Sequence, residues 1–485
     1  MHCSWDVGTC FPNALLGEMG YLVTHQNCIR KLALITEGGC ISGAPPLKKF
    51  TNLRELSWKG VLSSDDCAAL KAFLDLHHKR LVSLEVDFID WAEAASRLGL
   101  PDDEDENEDD EDDEDGLTPL TDLILPERKS DDKGFLPNLQ TFSLSAASFK
   151  GSWDRLMDGF NLRSVKELRL LNCKHTAKLL DYMVRTNVSF QATKVELTLH
   201  HSEIDGLEWD VTHFLVPFDS LEDLFLMFDA DYADRYYAEH ILHHRDTLRR
   251  LVYHRRRFCL DDKSPYREEY CDSTLEEMED VVARILHVTK LESAGVCAEP
   301  SKLQNSFQSI ASTVHSLKLL HLRFTGKAER KPKFFKESEN YGDTLFLEGF
   351  VEAIRYGKAP PQRSPGPSEA ESRIRWQQIQ GENWREDEEK EMEAFADWAF
   401  GRDGFPCLQV LASGDFSYGN RFADIQTLWC RDTRGSRSNK TWRTVEQSDI
   451  AENELIDANM DMMSACPVSP LFYKYGQGFI FPGIS

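Results

Sequence analysis

Three adjacent histidine pairs, His77-His78, His200-His201 and His243-His244, are the side chains best suited by type to hold a metal ion or carry a proton. Adjacency works against both roles. Neighbouring side chains diverge on a helix and on a strand alike, so the two members of a pair cannot converge on one ion. The plainer expectation is surface histidine at a helix end, where the negative terminus favours a cation. No G-x-S-x-G elbow, G-x-x-x-x-G-K-[ST] loop, G-x-G-x-x-G turn or H-E-x-x-H helix occurs. Twelve cysteines, at positions 3, 10, 28, 40, 67, 173, 259, 271, 297, 407, 430 and 466, include no C-x-x-C pair, which argues against a zinc ribbon and a dense disulfide framework. The expectation is a protein with no metal, no cofactor and no catalysis of its own.

Charge narrows the choice of partner. Lys and Arg number 56 against 82 Asp and Glu, a balance of -26. Residues 102–115 hold thirteen carboxylates, interrupted only by Asn107, and without that run the balance is -26 + 13 = -13. Phosphate contacts need a net basic face, so nucleic acid is not expected as a partner. The acidic run repels itself and buries nothing; it is read as a disordered, solvated insertion. The first twenty residues lack the basic start and apolar run of a signal peptide, and no apolar stretch reaches about 18 residues. The expected setting is cytoplasmic or nuclear, away from membranes.

What positions any binding residue is a repeat. The frame apolar-x-x-apolar-x-apolar recurs as Ile29/Leu32/Leu34, Leu53/Leu56/Trp58, Leu81/Leu84/Val86, Leu139/Phe142/Leu144, Val165/Leu168/Leu170, Leu221/Leu224/Leu226, Leu248/Leu251/Tyr253, Leu317/Leu320/Leu322 and Leu408/Leu411/Ser413. Directly following copies step by 24 (29 to 53), 28 (53 to 81), 26 (139 to 165) and 27 (221 to 248) residues. Steps of about 20 to 29 residues are the leucine-rich-repeat period. The spacers read as amphipathic helices: Leu70, Phe73, Leu74 and His77 share one face behind Ser63-Ser64-Asp65-Asp66, and Trp153, Leu156, Met157 and Phe160 share another. The predicted fold class is α/β, a leucine-rich-repeat solenoid, or horseshoe, with a parallel concave sheet, a helical convex side and an irregular C-terminal cap.

The organisation follows. Residues 1–28 are an N-terminal cap with a short helix near Phe11 to Met19; 29–324 are the repeats; 325–400 are an insertion with a helix over 386–400; 401–485 are a last repeat and the cap. The step of 58 from Leu81 to Leu139 leaves either a degenerate copy near 117–125 or one period with a long loop. Ser273-Thr-Leu-Glu276 spells a capping box, and Val288/Leu291 is the weakest strand signal.

In this frame residues 1, 4 and 6 enter the core and residues 3, 5 and 7 face the concavity. The first half of that surface is polar, as in Glu55, Ser57 and Lys59, then Ser83, Glu85 and Asp87, then Thr141, Ser143 and Ser145. The second half changes character: Phe225 and Met227, then Arg250, Val252 and His254, then Leu319, His321 and Arg323. Apolar side chains beside Arg and His suit a protein-binding site, and these eight residues are the candidate partner-binding set. The plainer reading is that the insertion or the C-terminal cap covers them.

Leu53-Arg-Glu-Leu-Ser-Trp58, His243-His-Arg-Asp-Thr-Leu-Arg-Arg-Leu251 and above all Phe395-Ala-Asp-Trp-Ala-Phe-Gly-Arg-Asp-Gly-Phe-Pro-Cys-Leu-Gln-Val-Leu-Ala412, with Gly414-Asp-Phe-Ser-Tyr418, resemble the leucine-rich-repeat region of filamentous-fungal F-box proteins. The resemblance implies a substrate-recognition subunit of an SCF-type ubiquitin ligase, with an N-terminal F-box for the adaptor Skp1 and repeats that select the protein substrate. The F-box itself is missing or truncated: Phe11-Pro-Asn-Ala-Leu15-Leu16 echoes the family's Leu-Pro-x-Glu-Leu opening without its Glu. Two other readings stand beside this one, an F-box-independent repeat scaffold and an enzyme with a site under the 325–485 region.

Overall fold

The computed structural model describes residues 1–5, 11–26, 28–36, 43–88, 120–125, 135–150, 153–186, 189–199, 215–229, 241–256, 276–323, 383–414, 416–417, 426–434 and 440–467. The acidic run 102–115, His200-His201 and the capping-box residues Ser273 to Leu275 lie outside them, as does most of the 325–400 insertion.

Among the described residues one sheet of fourteen strands organises the chain, and its spatial order is its sequence order. The strands are β1 His2–Trp5, β2 Lys31–Ile35, β3 Glu55–Val61, β4 Ser83–Phe88, β5 Thr141–Ser145, β6 Glu167–Leu171 and β7 Lys194–Leu199, then β8 Asp223–Asp229, β9 Arg250–Arg256, β10 Ser293–Val296, β11 Leu319–Leu322, β12 Val410–Ser413, β13 Thr427–Arg431 and β14 Trp442–Thr444. Pairing is parallel from β1 to β12 and antiparallel from β12 to β14. The sheet is open, an α/β architecture wound one strand at a time, as in a solenoid.

Frame positions stay in register from strand to strand. Leu56 pairs with Leu84, Phe142 with Leu168, and Leu224 with Leu251, so equal positions stack. Helices return the chain between strands: α1 Asn13–Leu16, α2 Tyr21–His25, α3 Ser64–His77, α4 Leu120–Ile124, α5 Trp153–Gly159, α6 Thr176–Arg185, α7 Glu276–Val288, α8 Pro300–Phe307 and α9 Asn383–Ala399. The start of α3 shows how sequence sets such an element. Asp66 N–H donates to Ser63 Oγ at 3.2 Å while the Asp66 carboxylate accepts from Ser63 N–H at 3.1 Å, a closed capping box. Leu70, Phe73 and Leu74 then fall on one face and are buried.

Those helical side chains and the strand residues at positions 1, 4 and 6 form one continuous core. Position 3, 5 and 7 residues lie on the other side of the sheet, here called the far face. Two helices lie on that face, α10 Ile450–Ala458 and α11 Met460–Met463. The C-terminal region is therefore more regular than its sequence suggests.

Several expectations change in detail. The sheet begins before Ile29, because β1 pairs with β2 through His2 and Lys31, a step of 31 - 2 = 29 residues. Residues 1–28 thus contain a repeat turn. Strand β4 pairs directly with β5, so the step of 58 is one period with a long insertion, and Leu120–Ile124 is helix. The weak repeat is shifted: Leu291, Ala294 and Val296 are the buried set, while Val288 ends α7 and is exposed. The small side chain at Ala294 hides that frame from a pattern based on large apolar residues.

Candidate functional site

Register alone places all eight predicted binding residues on the far face, and the structure brings seven of them under cover. Phe225, Met227, Val252 and Leu319 join Val410, Ala412 and Phe416 in a second apolar cluster, separate from the main core. Its other half comes from the C-terminal segment: Ile456, Met462, Met463, Ala465 and Cys466. His254, His321 and Arg323 are buried with them, and Arg250 is partly exposed. Of the two readings, exposure to solvent does not hold and cover by the C-terminal region does, because residues 456–466 lie across these side chains. An uncovered sheet face of this character would present a contiguous apolar patch to water.

The covering segment is tied to the face at three places by polar contacts. At the first, Asp461 lies between two cations: its Oδ2 is 2.6 Å from Lys194 Nζ and its Oδ1 accepts from Arg250 Nη1 at 2.6 Å. Arg250 is itself held by Asp223, to which its Nε donates at 2.7 Å. Hydrogen bonding to Asp223, against the cost of burial and with help from Asp461, raises the Arg250 pKa. Burial pushes Asp461 upward, but hydrogen bonding and charge from Lys194 and Arg250 leave its carboxyl below the usual range. Both cations also sit over the Phe225 ring, at 5.4 and 5.8 Å from its centroid.

Arg323 makes the second tie. Its guanidinium donates to the carbonyls of Met463 at 3.0 Å, Met462 at 3.4 Å and Ala465, at the end of α11 and just beyond it; the Met462 carbonyl also accepts from Ala465 N–H at 3.2 Å. Its Nε donates to Nδ1 of His254 at 2.8 Å. At the third tie, Glu196 accepts from the Cys466 N–H at 2.8 Å. The segment enters the face at Asp449, whose carboxylate is clamped by Arg434 and Arg443 and accepts from Glu446 N–H at 2.8 Å. Polypeptide is thus bound across β7 to β12 by paired charges, carbonyl capture and an apolar pocket.

The polar half of the far face is compensated within itself. Lys31 pairs with Glu55 at 3.4 Å, Lys59 with Glu85 at 3.2 Å, and Arg169 with Glu167 and Glu196. Asp87 is the exception. Burial, opposed by Lys59 and reinforced by Glu85, pushes its carboxyl up to about 7, and its Oδ1 has no hydrogen-bond partner.

The histidines correct a second expectation. His77 and His244 are buried, while His78 is half-buried and His243 exposed, so one member of each described pair enters the protein; the His243 and His244 rings still meet edge to face, with centroids 5.1 Å apart. The reason is packing: His77 stacks on Phe73 with centroids 4.6 Å apart, and His244 Nε2 meets the Leu215 carbonyl at 3.1 Å. Among the described residues, no three His, Cys, Asp or Glu side chains gather as metal ligands. Among the same residues, no helix is long and apolar enough to cross a membrane.

Sequence reasoning missed the covering residues themselves, Asp461, Met462, Met463 and Cys466, and their partners Lys194 and Glu196. The signal available was complementarity: an outward apolar stripe at one end of the sheet and a repeat-free Met460-Asp-Met-Met463 stretch at the end of the chain. No family model, curated protein or solved structure matches this chain.

Proposed function

We propose that this protein is a recognition module that binds a protein partner on the concave face of a leucine-rich-repeat sheet, resembling the substrate-selecting subunits of SCF-type ubiquitin ligases. One observation carries the reading: the far face already holds a length of polypeptide, residues 456–466, by side-chain ion pairs, carbonyl capture and an apolar pocket. A surface built to do that in cis has the chemistry to do it in trans. Support for the leucine-rich type comes from the steps of 24 to 29 residues between most successive strands and from apolar positions 1, 4 and 6 kept in register. The proposal assigns no catalysis to the chain, and Skp1 is its adaptor if the N-terminal residues serve as an F-box.

Photo-crosslinking side chains at Ser57 and Thr141, on the open part of the far face, test the reading against the same groups at Lys71 and Leu76 on α3. The expected outcome is one and the same protein, identified by mass spectrometry, joined at Ser57 and Thr141 and absent at the helical positions. Capture from α3 alone would sink the proposal. Purified Skp1 tests the adaptor half: co-elution with the intact chain supports it, and separate elution leaves a repeat scaffold that works without the ligase.

A further inference from the structure

We infer that the far face over β7 to β11 is a peptide site whose resident ligand is the chain's own residues 449–466, and that it takes in trans a partner segment of the same chemistry. That chemistry is a carboxylate followed by two apolar side chains at the end of a short helix. The inference rests on the proposed reading of this face as a polypeptide-binding surface and names what the surface selects.

Three features define the ligand. Lys194 and Arg250 converge on one carboxylate from β7 and β9, so the partner needs an Asp at that point. Phe225, Met227, Val252 and Leu319 form the wall that Met462 and Met463 fill, so two flexible apolar side chains must follow the Asp. Arg323 takes main-chain carbonyls, which any sequence can offer but only a helix end presents together. Charge, shape and backbone requirements therefore coincide on an Asp-apolar-apolar helix terminus.

The resident segment has the features of a ligand. Its apolar contacts form a cluster distinct from the main core, so the repeat helices and strand positions 1, 4 and 6 pack without it. Only residues 445–448 join it to β14, a short tether that gives an effective concentration in the mM range. A partner competes against that figure, and the site is open only to ligands presented at high local concentration or bound elsewhere on the face as well.

The probe is a labelled synthetic peptide with the sequence of residues 446–467. It is titrated into the intact chain and into a full-length variant carrying Asp461→Lys, Met462→Asp and Met463→Asp. The variant is expected to bind the peptide at least ~10-fold more tightly than the unaltered chain, whose own segment competes at mM effective concentration. A peptide carrying D461K is expected to lose that binding, and added salt to weaken it. A folded variant that ignores the peptide, or equal binding by both chains, overturns the inference.

Hydrogen exchange on the unaltered chain decides the matter if the triple variant does not fold. Amides of 449–466 are expected to exchange by local opening, faster than those of β5 to β9. Exchange of the segment only together with those strands would make it an inseparable part of the core and end the proposal. If the peptide fails while Ser57 and Thr141 still capture a partner, this inference alone falls; capture from α3 alone removes the reading beneath it.

Discussion

Arg323 Nε donates to His254 Nδ1 at 2.8 Å. An accepting Nδ1 fixes His254 as the neutral imidazole with its proton on Nε2, so the pair is one cation and one dipole. The other guanidinium nitrogens are then turned towards the carbonyls of Met462, Met463 and Ala465. One residue after β11 thus joins a side chain of β9 to the end of α11.

Replacing Arg323 by Met therefore removes the guanidinium donor from the Met463 and Ala465 carbonyls, while Met462 keeps the Ala465 N–H. Loss of a hydrogen-bonding partner that strands buried polar groups costs about 1–3 kcal/mol. Amides of 449–466 are expected to exchange about 10 to 100 times faster in the variant, with β3 to β6 unchanged. Peptide-resolved hydrogen exchange measures this, and uniform acceleration across the sheet would contradict a local role.

Gly60 marks where the pairing of β3 with β4 slips by one residue, between Lys59 and Val61. Its φ is +100°, and an added Cβ would lie 1.9 Å from the Thr36 carbonyl oxygen. Backbone of this kind favours glycine, and strain of this type costs about 1–3 kcal/mol. Gly60→Ala is expected to lower the unfolding free energy by at least that amount, read as a lower denaturant midpoint, because a fixed carbonyl cannot move aside as a flexible side chain could. A midpoint equal to that of the unaltered chain would show that the irregularity of β3 at Gly60 and the Thr36 carbonyl beside it yield freely.

The apolar frame was legible because its period is local: Leu53/Leu56/Trp58 or Leu248/Leu251/Tyr253 can be read without knowing what they touch. The same register correctly put Phe225, Val252 and Arg323 on the far face. The C-terminal cap was one of two covers the sequence offered, but which of its residues lie there was not legible, because α11 meets β9 across more than two hundred residues of sequence, as in the pairing of Arg250 with Asp461. Strand β1 was missed for a different reason. Cys3 and Trp5 are weak entries in an apolar frame, and only pairing with Leu32 and Leu34 identifies them. His77 had two readings, as a surface histidine at a helix end and as a member of the Leu70, Phe73 and Leu74 face; the second holds, with the Phe73 ring one turn earlier stacked on it.

His77 offers neither ring nitrogen a hydrogen-bond partner, although it is buried at the end of α3. Burial, with Arg80 nearby, lowers its pKa below 6.5. A folded pKa below the unfolded one gives stability that is present above about pH 6.5 and is lost as pH falls through it. His77→Leu keeps the packing on Phe73 and removes both orphan nitrogens. The variant is expected to gain about 1 kcal/mol at pH 7, within the usual cost of an unmade hydrogen bond, and more at pH 5.5. Thermal midpoints at the two pH values check this, and a gain that shrinks on acidification would be the wrong sign.

Asp87 carries the opposite linkage. Its folded pKa, about 7 because of burial with Lys59 opposing, stands above the ordinary carboxylate value of 3.8. The folded protein holds that proton more tightly than the unfolded chain, so its contribution is greatest at low pH and declines as pH rises from about 4 to about 7. Asn cannot ionise, and Asp87→Asn removes the decline. Three pKa units correspond to about 4 kcal/mol as an upper bound, at about 1.36 kcal/mol per unit. The stability difference between variant and unaltered chain, measured by denaturant titration, is expected to be small at pH 4, to grow through pH 5 and 6, and to level off above pH 7. Groups not coupled to Asp87 cancel in that difference, so the curve reports Asp87 and its interaction with Lys59 and Glu85. A flat difference would mean that the carboxylate is ionised in the folded protein, with Lys59, one strand away in β3, outweighing burial.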